Sequence, residues 1–170
     1  MNKQIIKFVV IGCGKIGKKH IDVISKNKNC KLVGLVDKKE INDLDITTNV
    51  IFYNSIEKLL ESKIEFDVAI IATPNGLHSQ HAITFLENFK NVVIEKPLSL
   101  KKLEAENIIH KSIKFKKNVF VVMQNRYSPP IKWIKNIIDK KILGNIYLVN
   151  INCFWNRDKR YYNNHDWHGT

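Results

Sequence analysis

Six short apolar runs alternate with segments of helical periodicity, and this alternation constrains the fold more than any other feature of the chain. "IIKFVVIG" (5–12), "KLVGLVD" (31–37), "NVIFYN" (49–54), "FDVAIIATP" (66–74), "NVVIEKP" (91–97) and "NVFVVMQNRY" (118–127) read as strands. The residues between them predict helices over 15–29, 55–62, 77–89 and 99–116, with Ser55 and Ser99 as candidate N-caps. The first run is continuous in apolar residues, as a strand buried on both faces should be. Strands alternating with helices imply βαβ units and an α/β fold, a doubly wound parallel sheet. Right-handed crossovers put its helices on both faces.

The pattern changes after Pro129-Pro130. A helix is expected over 131–142, with Gly144 near its stop, and then one long strand over 145–156. The expected organisation is a first domain over 1–127 and, over 128–170, the beginning of an α+β second domain that these residues leave incomplete.

At 44% apolar and 26% charged residues, the chain can bury a core and is not a disordered polymer. Its formal charge of +12 comes mostly from scattered lysines such as Lys38-Lys39 and Lys116-Lys117, which read as a solvated basic face. No nucleic-acid-binding pattern appears, so nucleic acid is not an expected partner. No apolar run approaches the roughly 20 residues that span a bilayer, and the N-terminus lacks the features of a signal peptide. The expectation is a cytoplasmic protein without a membrane partner. Cys13, Cys30 and Cys153 form no C-x-x-C pair and are odd in number, which predicts neither a disulfide framework nor a metal site.

The richest local signal is Gly12, Gly14 and Gly17, a G-x-G-x-x-G at the junction of the first strand and first helix. Such triplets occur by chance, but here a strand precedes, a helix follows, and Asp37 ends the second strand 20 positions after Gly17. Gly12 permits a sharp turn, Gly14 lets backbone approach a pyrophosphate, and Gly17 lets helix and strand pack closely. The helix end adds free N–H donors and partial positive charge. These are the features of a Rossmann dinucleotide-binding domain. Asp37 would accept hydrogen bonds from ribose hydroxyls and repel a 2′-phosphate, favouring NAD; Lys38 and Lys39 soften that repulsion and leave NADP open.

Two later motifs sit at strand ends. In "IIATPNGLHSQH" (70–81), Thr73 and Asn75 either bond the cofactor or cap the next helix. His78 and His81 lie one helical turn apart; without a carboxylate nearby they read as helix-surface or capping residues rather than metal ligands. In "VVIEKPLS" (92–99), Lys96 follows Glu95 and precedes Pro97. Near a nicotinamide such a lysine would hydrogen-bond a substrate hydroxyl; taken alone, an ion-paired structural lysine fits as well.

Taken together, G-x-G-x-x-G, the strand-two acid, A-T-P-N-x-x-H and E-K-P resemble the Gfo/Idh/MocA family of NAD(P)-dependent oxidoreductases over residues 5 to about 127. The resemblance implies Lys96 at the reacting carbon as the catalytic residue. It implies cofactor contacts from Gly12, Gly14, Lys15, Ile16, Gly17, Asp37, Thr73, Pro74, Asn75, His78, Glu95, Lys96 and Gln124. Asn125, at the end of the sixth strand, would line the substrate pocket with Lys96. "QNRYSPP" (124–130) and "NCFWNRDKRYY…DWHGT" (152–170) look like the family's branch that oxidises the 3-hydroxyl of UDP-N-acetylglucosamine-derived uronates in surface-polysaccharide biosynthesis. Arg126, Arg157, Arg160 and Tyr161 then become candidates for holding substrate carboxylate or phosphates, or are exposed tail residues.

Where the family carries W-R-G-T, this sequence has Trp167-His168-Gly169-Thr170. The family continues for roughly another domain's length. That part holds an Asp-x-x-x-His pair, whose histidine is the general base, and the sheet that forms the subunit interface. The expectation is therefore a nucleotide-sugar dehydrogenase represented by its first half, a homo-oligomer when full length, or a dinucleotide-binding module without turnover.

Overall fold

The computed structural model describes residues 4–39, 50–159 and 162. The chain divides into two compact units, Met1–Val122 and Met123–Thr170.

The first unit is a six-stranded, wholly parallel sheet in the order β3-β2-β1-β4-β5-β6. The strands are β1 (Ile6–Ile11), β2 (Cys30–Val36), β3 (Ile51–Tyr53), β4 (Val68–Ile71), β5 (Asn91–Ile94) and β6 (Val119–Val121). Among the described residues four helices connect them: α1 (Lys15–Ser25), α2 (Ile56–Glu61), α3 (His78–Glu87) and α4 (Lys102–Phe115). This is the doubly wound sheet expected from the alternation, with the strand order reversing between β1 and β4.

The reason for the continuous apolar runs is visible in the core. Alternate residues serve opposite faces: Val9, Ile11, Ala69, Ile71, Val92 and Ile94 pack with Leu59 of α2, Phe85 of α3 and Ile108 of α4. Val10 and Ile70 pack on the other face with Ile21 and Ile24 of α1. A strand covered on both sides has no polar side to show. Ile16, aligned with Ile21 and Ile24 by periodicity, instead stands exposed in the first turn of α1.

Several boundaries differ from expectation. Ser55 caps α2 as predicted, its hydroxyl accepting from the Lys58 N–H at 3.3 Å. Ser99 does not cap α4: the cap position is Lys101, and the Ser99 hydroxyl donates to the Lys101 carbonyl at 2.8 Å. The sixth strand ends at Val121, where its neighbour β5 also ends.

In the second unit, Gln124–Tyr127 form a 3-10 turn and α5 spans Pro129–Asp139. Two prolines open α5, where a missing N–H costs nothing. Gly144 takes a positive φ of 62° beyond its end. The strand expected over 145–156 is not formed. A strand exists by its ladder, and no partner lies beside these residues among those described.

Candidate functional site

The loops that matter are gathered by the sheet itself. In a parallel sheet, the residue just past one strand donates to the last carbonyl of its neighbour. Gly12 N–H reaches the Val36 carbonyl at 2.8 Å, Ala72 N–H the Ile11 carbonyl at 2.8 Å, and Glu95 N–H the Ile71 carbonyl at 2.9 Å. Asp37 N–H reaches the Tyr53 carbonyl at 3.2 Å. The glycine loop, Asp37, the Thr73 loop and Glu95-Lys96 therefore share the carboxyl edge of the sheet, beside the point where strand order reverses.

The three glycines have distinct reasons. Gly12 has φ +86°, and a Cβ there would lie 2.7 Å from the Ala72 carbonyl oxygen. A Cβ on Gly17 would lie 2.0 Å from the Gly12 carbonyl oxygen, so helix and loop touch through bare backbone. At Gly14 nothing lies within 4 Å of an added Cβ; that position faces open space. Gly14 is also the N-cap of α1, without a side-chain cap and without an acid in the first turn. Lys15 and Ile16 follow it, both exposed. Free N–H donors behind an open glycine fit an anionic diphosphate.

Asp37 is tied into this cradle. Its Oδ2 accepts from the Cys13 N–H at 2.7 Å and its Oδ1 from the Lys39 N–H at 3.3 Å. A carboxylate offers about four acceptor positions, so two remain open. The Cys13 side chain points the other way, into the core. Burial, with the adjacent Asp37 charge, pushes its thiol up to about 12. Thiol reagents on the native protein should therefore leave Cys13 unmodified while exposed Cys153 reacts, which peptide mass mapping would read.

The Thr73 loop is held by two histidines. His78 is 1% exposed, not on the helix surface. Its Nδ1 meets the Pro97 carbonyl at 2.7 Å and its Nε2 the Thr73 carbonyl at 2.9 Å. Both nitrogens are thus engaged with backbone, and neither is left for the cofactor contact expected of it. His81 Nδ1 lies 3.1 Å from the Thr73 hydroxyl, so that hydroxyl braces α3 instead of standing free. Pro74 and Asn75 lead into a 3-10 turn, and Asn75 makes no side-chain cap. Among the described residues no cluster of three metal-ligating side chains occurs.

At the end of β5, Lys96 is exposed and the Lys96–Pro97 bond is cis. Glu95 Oε1 lies 2.8 Å from His20 Nε2, and its Oε2 accepts from the Lys96 N–H at 3.3 Å. Sequence reasoning missed His20, because the pair is 75 positions apart and no local spacing marks it.

Burial would raise the Glu95 carboxyl, but the His20 hydrogen bond and charge, with the Lys96 N–H and ammonium, outweigh it and hold it below the ordinary value. His81 is also held low, by burial first and then by the charges of His78 and Lys38, against the pull of Glu57. Both shifts have one sign. On acidification the unfolded chain takes up a proton before the folded one, at His81 below 6.5 and at Glu95 below 4.5. Stability should thus decline in two stages as pH falls. Urea midpoints measured against pH should show the first stage flattened in His81→Asn and the second in Glu95→Gln.

In the second unit, Gln124, Asn125 and Arg126 are exposed in the 3-10 turn, not on a strand. The Arg157 guanidinium lies over the Trp155 ring, 4.9 Å from its centroid. Arg160 and Tyr161 lie outside the described residues.

A six-stranded doubly wound sheet with an open glycine at a helix start, a tethered acid one strand over and a lysine at the switch-point edge defines a dinucleotide-binding Rossmann domain. Residues 6–123 match the model of the Gfo/Idh/MocA oxidoreductase family, NAD-binding Rossmann fold, and the chain belongs to that family. Over its whole length it is similar to the WlbA dehydrogenase of Chromobacterium violaceum, solved with NADH and UDP-GlcNAcA, at TM-score 0.93 and 29% identity. The WlbA dehydrogenase of Bordetella pertussis, solved with the same two molecules, superposes at TM-score 0.91 with 30% identity over 98% of this chain. Glucose-6-phosphate 3-dehydrogenase of Bacillus subtilis is 26% identical over 147 residues, 85% of this chain. This chain spans 41% of that enzyme and about half of each WlbA chain, 50% and 51%.

Proposed function

We propose that this chain is the cofactor-binding part of an NAD-dependent dehydrogenase that oxidises the 3-hydroxyl of a UDP-linked N-acetylhexosamine uronate. The observation that carries the reading is the meeting of the glycine cradle, Asp37 and Lys96 on one sheet edge. The likeness to two dehydrogenases solved with UDP-GlcNAcA over nearly the whole chain supports the substrate class.

In this reading the free N–H groups of the first turn of α1 bind the diphosphate, and Gly14 leaves room for it. Asp37 accepts from the ribose hydroxyls with the lone pairs that Cys13 and Lys39 leave. The nicotinamide supplies the acceptor for the hydride when bound. Lys96 donates to the substrate oxygen and stabilises negative charge there as the hydroxyl proton passes to a general base, the role the resemblance gives to a histidine of the family's second half. Gln124 joins the cofactor contacts, while Asn125, Arg126, Arg157 and Tyr161 hold the sugar and its anionic groups. The protein works in the cytoplasm, in surface-polysaccharide biosynthesis, as a homo-oligomer. Among the described residues no helix is long and apolar enough to cross a membrane.

Calorimetry with NADH and NADPH, followed by an assay of NAD reduction with UDP-sugar uronates, tests this reading. Affinity for neither dinucleotide would overturn it. Binding without turnover on any such sugar would assign the chain to a dinucleotide-binding module. Asp37→Asn keeps an oxygen for the Cys13 N–H but removes the charge. It should improve NADPH binding relative to NADH by about tenfold, roughly 1.4 kcal/mol.

A further inference from the structure

Lys96 has a histidine anchoring the residue on each side of it. Glu95 is bonded by His20 of α1 at 2.8 Å, and the Pro97 carbonyl by His78 of α3 at 2.7 Å. Neither helix is an arbitrary support. Helix α1 grows out of the glycine loop, and α3 follows the Thr73 loop, whose carbonyl takes the other nitrogen of His78. We propose that His20 and His78 are positioning residues for Lys96, coupling the backbone on both sides of the lysine to the two loops of the dinucleotide cradle. The proposal rests on the reading of Lys96 as the residue at the reacting carbon.

The chemistry of His78 makes the argument specific. Both of its partners are carbonyl oxygens, which only accept. The ring N–H donates to one carbonyl and the second nitrogen lies beside the other, the tautomer setting which is which. The ring is 1% exposed, so it is held between the two loops with no room to swing away from either carbonyl. The titratable groups about it are His81 on its own helix and, next to Pro97, Glu95 with His20 and Lys96. Lys38 after β2 and Glu57 of α2 act on His81. Glu95 is already engaged by His20, so the two carbonyls are the polar partners of His78. His20 works through a carboxylate whose second oxygen bonds the Lys96 N–H, so one carboxylate carries its hold to the lysine backbone.

Two measurements on the intact 170-residue chain test this. In nitrogen NMR of histidine-labelled protein, the ring N–H of His78 should exchange slowly with solvent, its signal being the one absent from His78→Gln. A fast-exchanging ring proton on His78 overturns its part. In the second, an amine-acylating reagent is applied with and without NADH, and modification of Lys96 is read by peptide mass mapping. NADH should protect Lys96 in the parent. Protection should fall about tenfold in His20→Ala and return in His20→Gln, which keeps a donor for Glu95, while NADH affinity by fluorescence changes less than about twofold. Undiminished protection in His20→Ala overturns the inference while leaving the proposed function standing. Absence of NADH binding in the parent defeats the proposed function instead, and the exchange rate of the His78 ring proton still tests its hold on the two carbonyls.

Discussion

Gly17→Ala is expected to lower the unfolding free energy by about 3 kcal/mol and to abolish NADH binding, whereas Gly14→Ala should fold like the parent and lose only the cofactor. The two changes add the same methyl group three positions apart. At Gly17 that methyl would sit 2.0 Å from the Gly12 carbonyl oxygen and 2.9 Å from its carbon, with the Val10 side chain 3.6 Å away. The obstacle is backbone, which cannot swing aside as a side chain can, so the start of α1 must lift off β1. That movement costs packing on Ile21 and Ile24 and displaces the free N–H groups from the diphosphate position. At Gly14 the methyl meets no protein atom within 4 Å and the backbone φ is −67°, which alanine adopts freely. It projects into the space through which a diphosphate would approach, and NADH affinity should fall at least about tenfold. Urea unfolding followed by NADH titration separates the two outcomes. Equal stability of the two variants would contradict the contact at Gly17.

Phe85→Ala should cost about 3–5 kcal/mol, a large share of the roughly 5–15 kcal/mol that holds a domain folded. Phe85 is fully buried at the centre of the face shared by α2, α3 and α4. Its ring meets Phe66 edge-on, with centroids 6.1 Å apart at 77°, and Lys90 Nζ lies 4.4 Å from the Phe66 centroid. Truncation leaves a cavity lined by strands and helices that cannot all close on it. Phe85→Leu, which keeps most of the volume, should cost only about 1 kcal/mol. The change also reaches the site. Helix α3 carries His78 and His81, so loosening its anchor weakens the hold of His78 on the Thr73 and Pro97 carbonyls and of His81 on the Thr73 hydroxyl. Denaturant midpoints of the two variants measure the first effect, and NADH affinity of Phe85→Leu the second.

Much of this site is legible in one dimension because its signals are local. The glycine spacing, the apolar run before it and the acid at the end of the second strand are each set by a single strand-helix junction. Ser55 is readable for the same reason, since a cap and its helix are neighbours in sequence. Ser99 misleads because the chain runs on to Lys101 before α4 begins, and a serine near a helix start is not always the cap.

What the sequence by itself determined is the doubly wound parallel sheet and the edge at which a dinucleotide is gripped, because strand periodicity, helix punctuation and the glycine spacing are short-range properties. Only the tertiary structure decided that His78 is buried between two carbonyls, that His20 holds Glu95, that Asp37 is tethered to Cys13, and that residues 145–156 form no strand. Each of those depends on which distant segment lies alongside. A hydrogen-bond partner 24 or 75 positions away is chosen by how the strands stack, and a strand without a neighbour has no ladder to join.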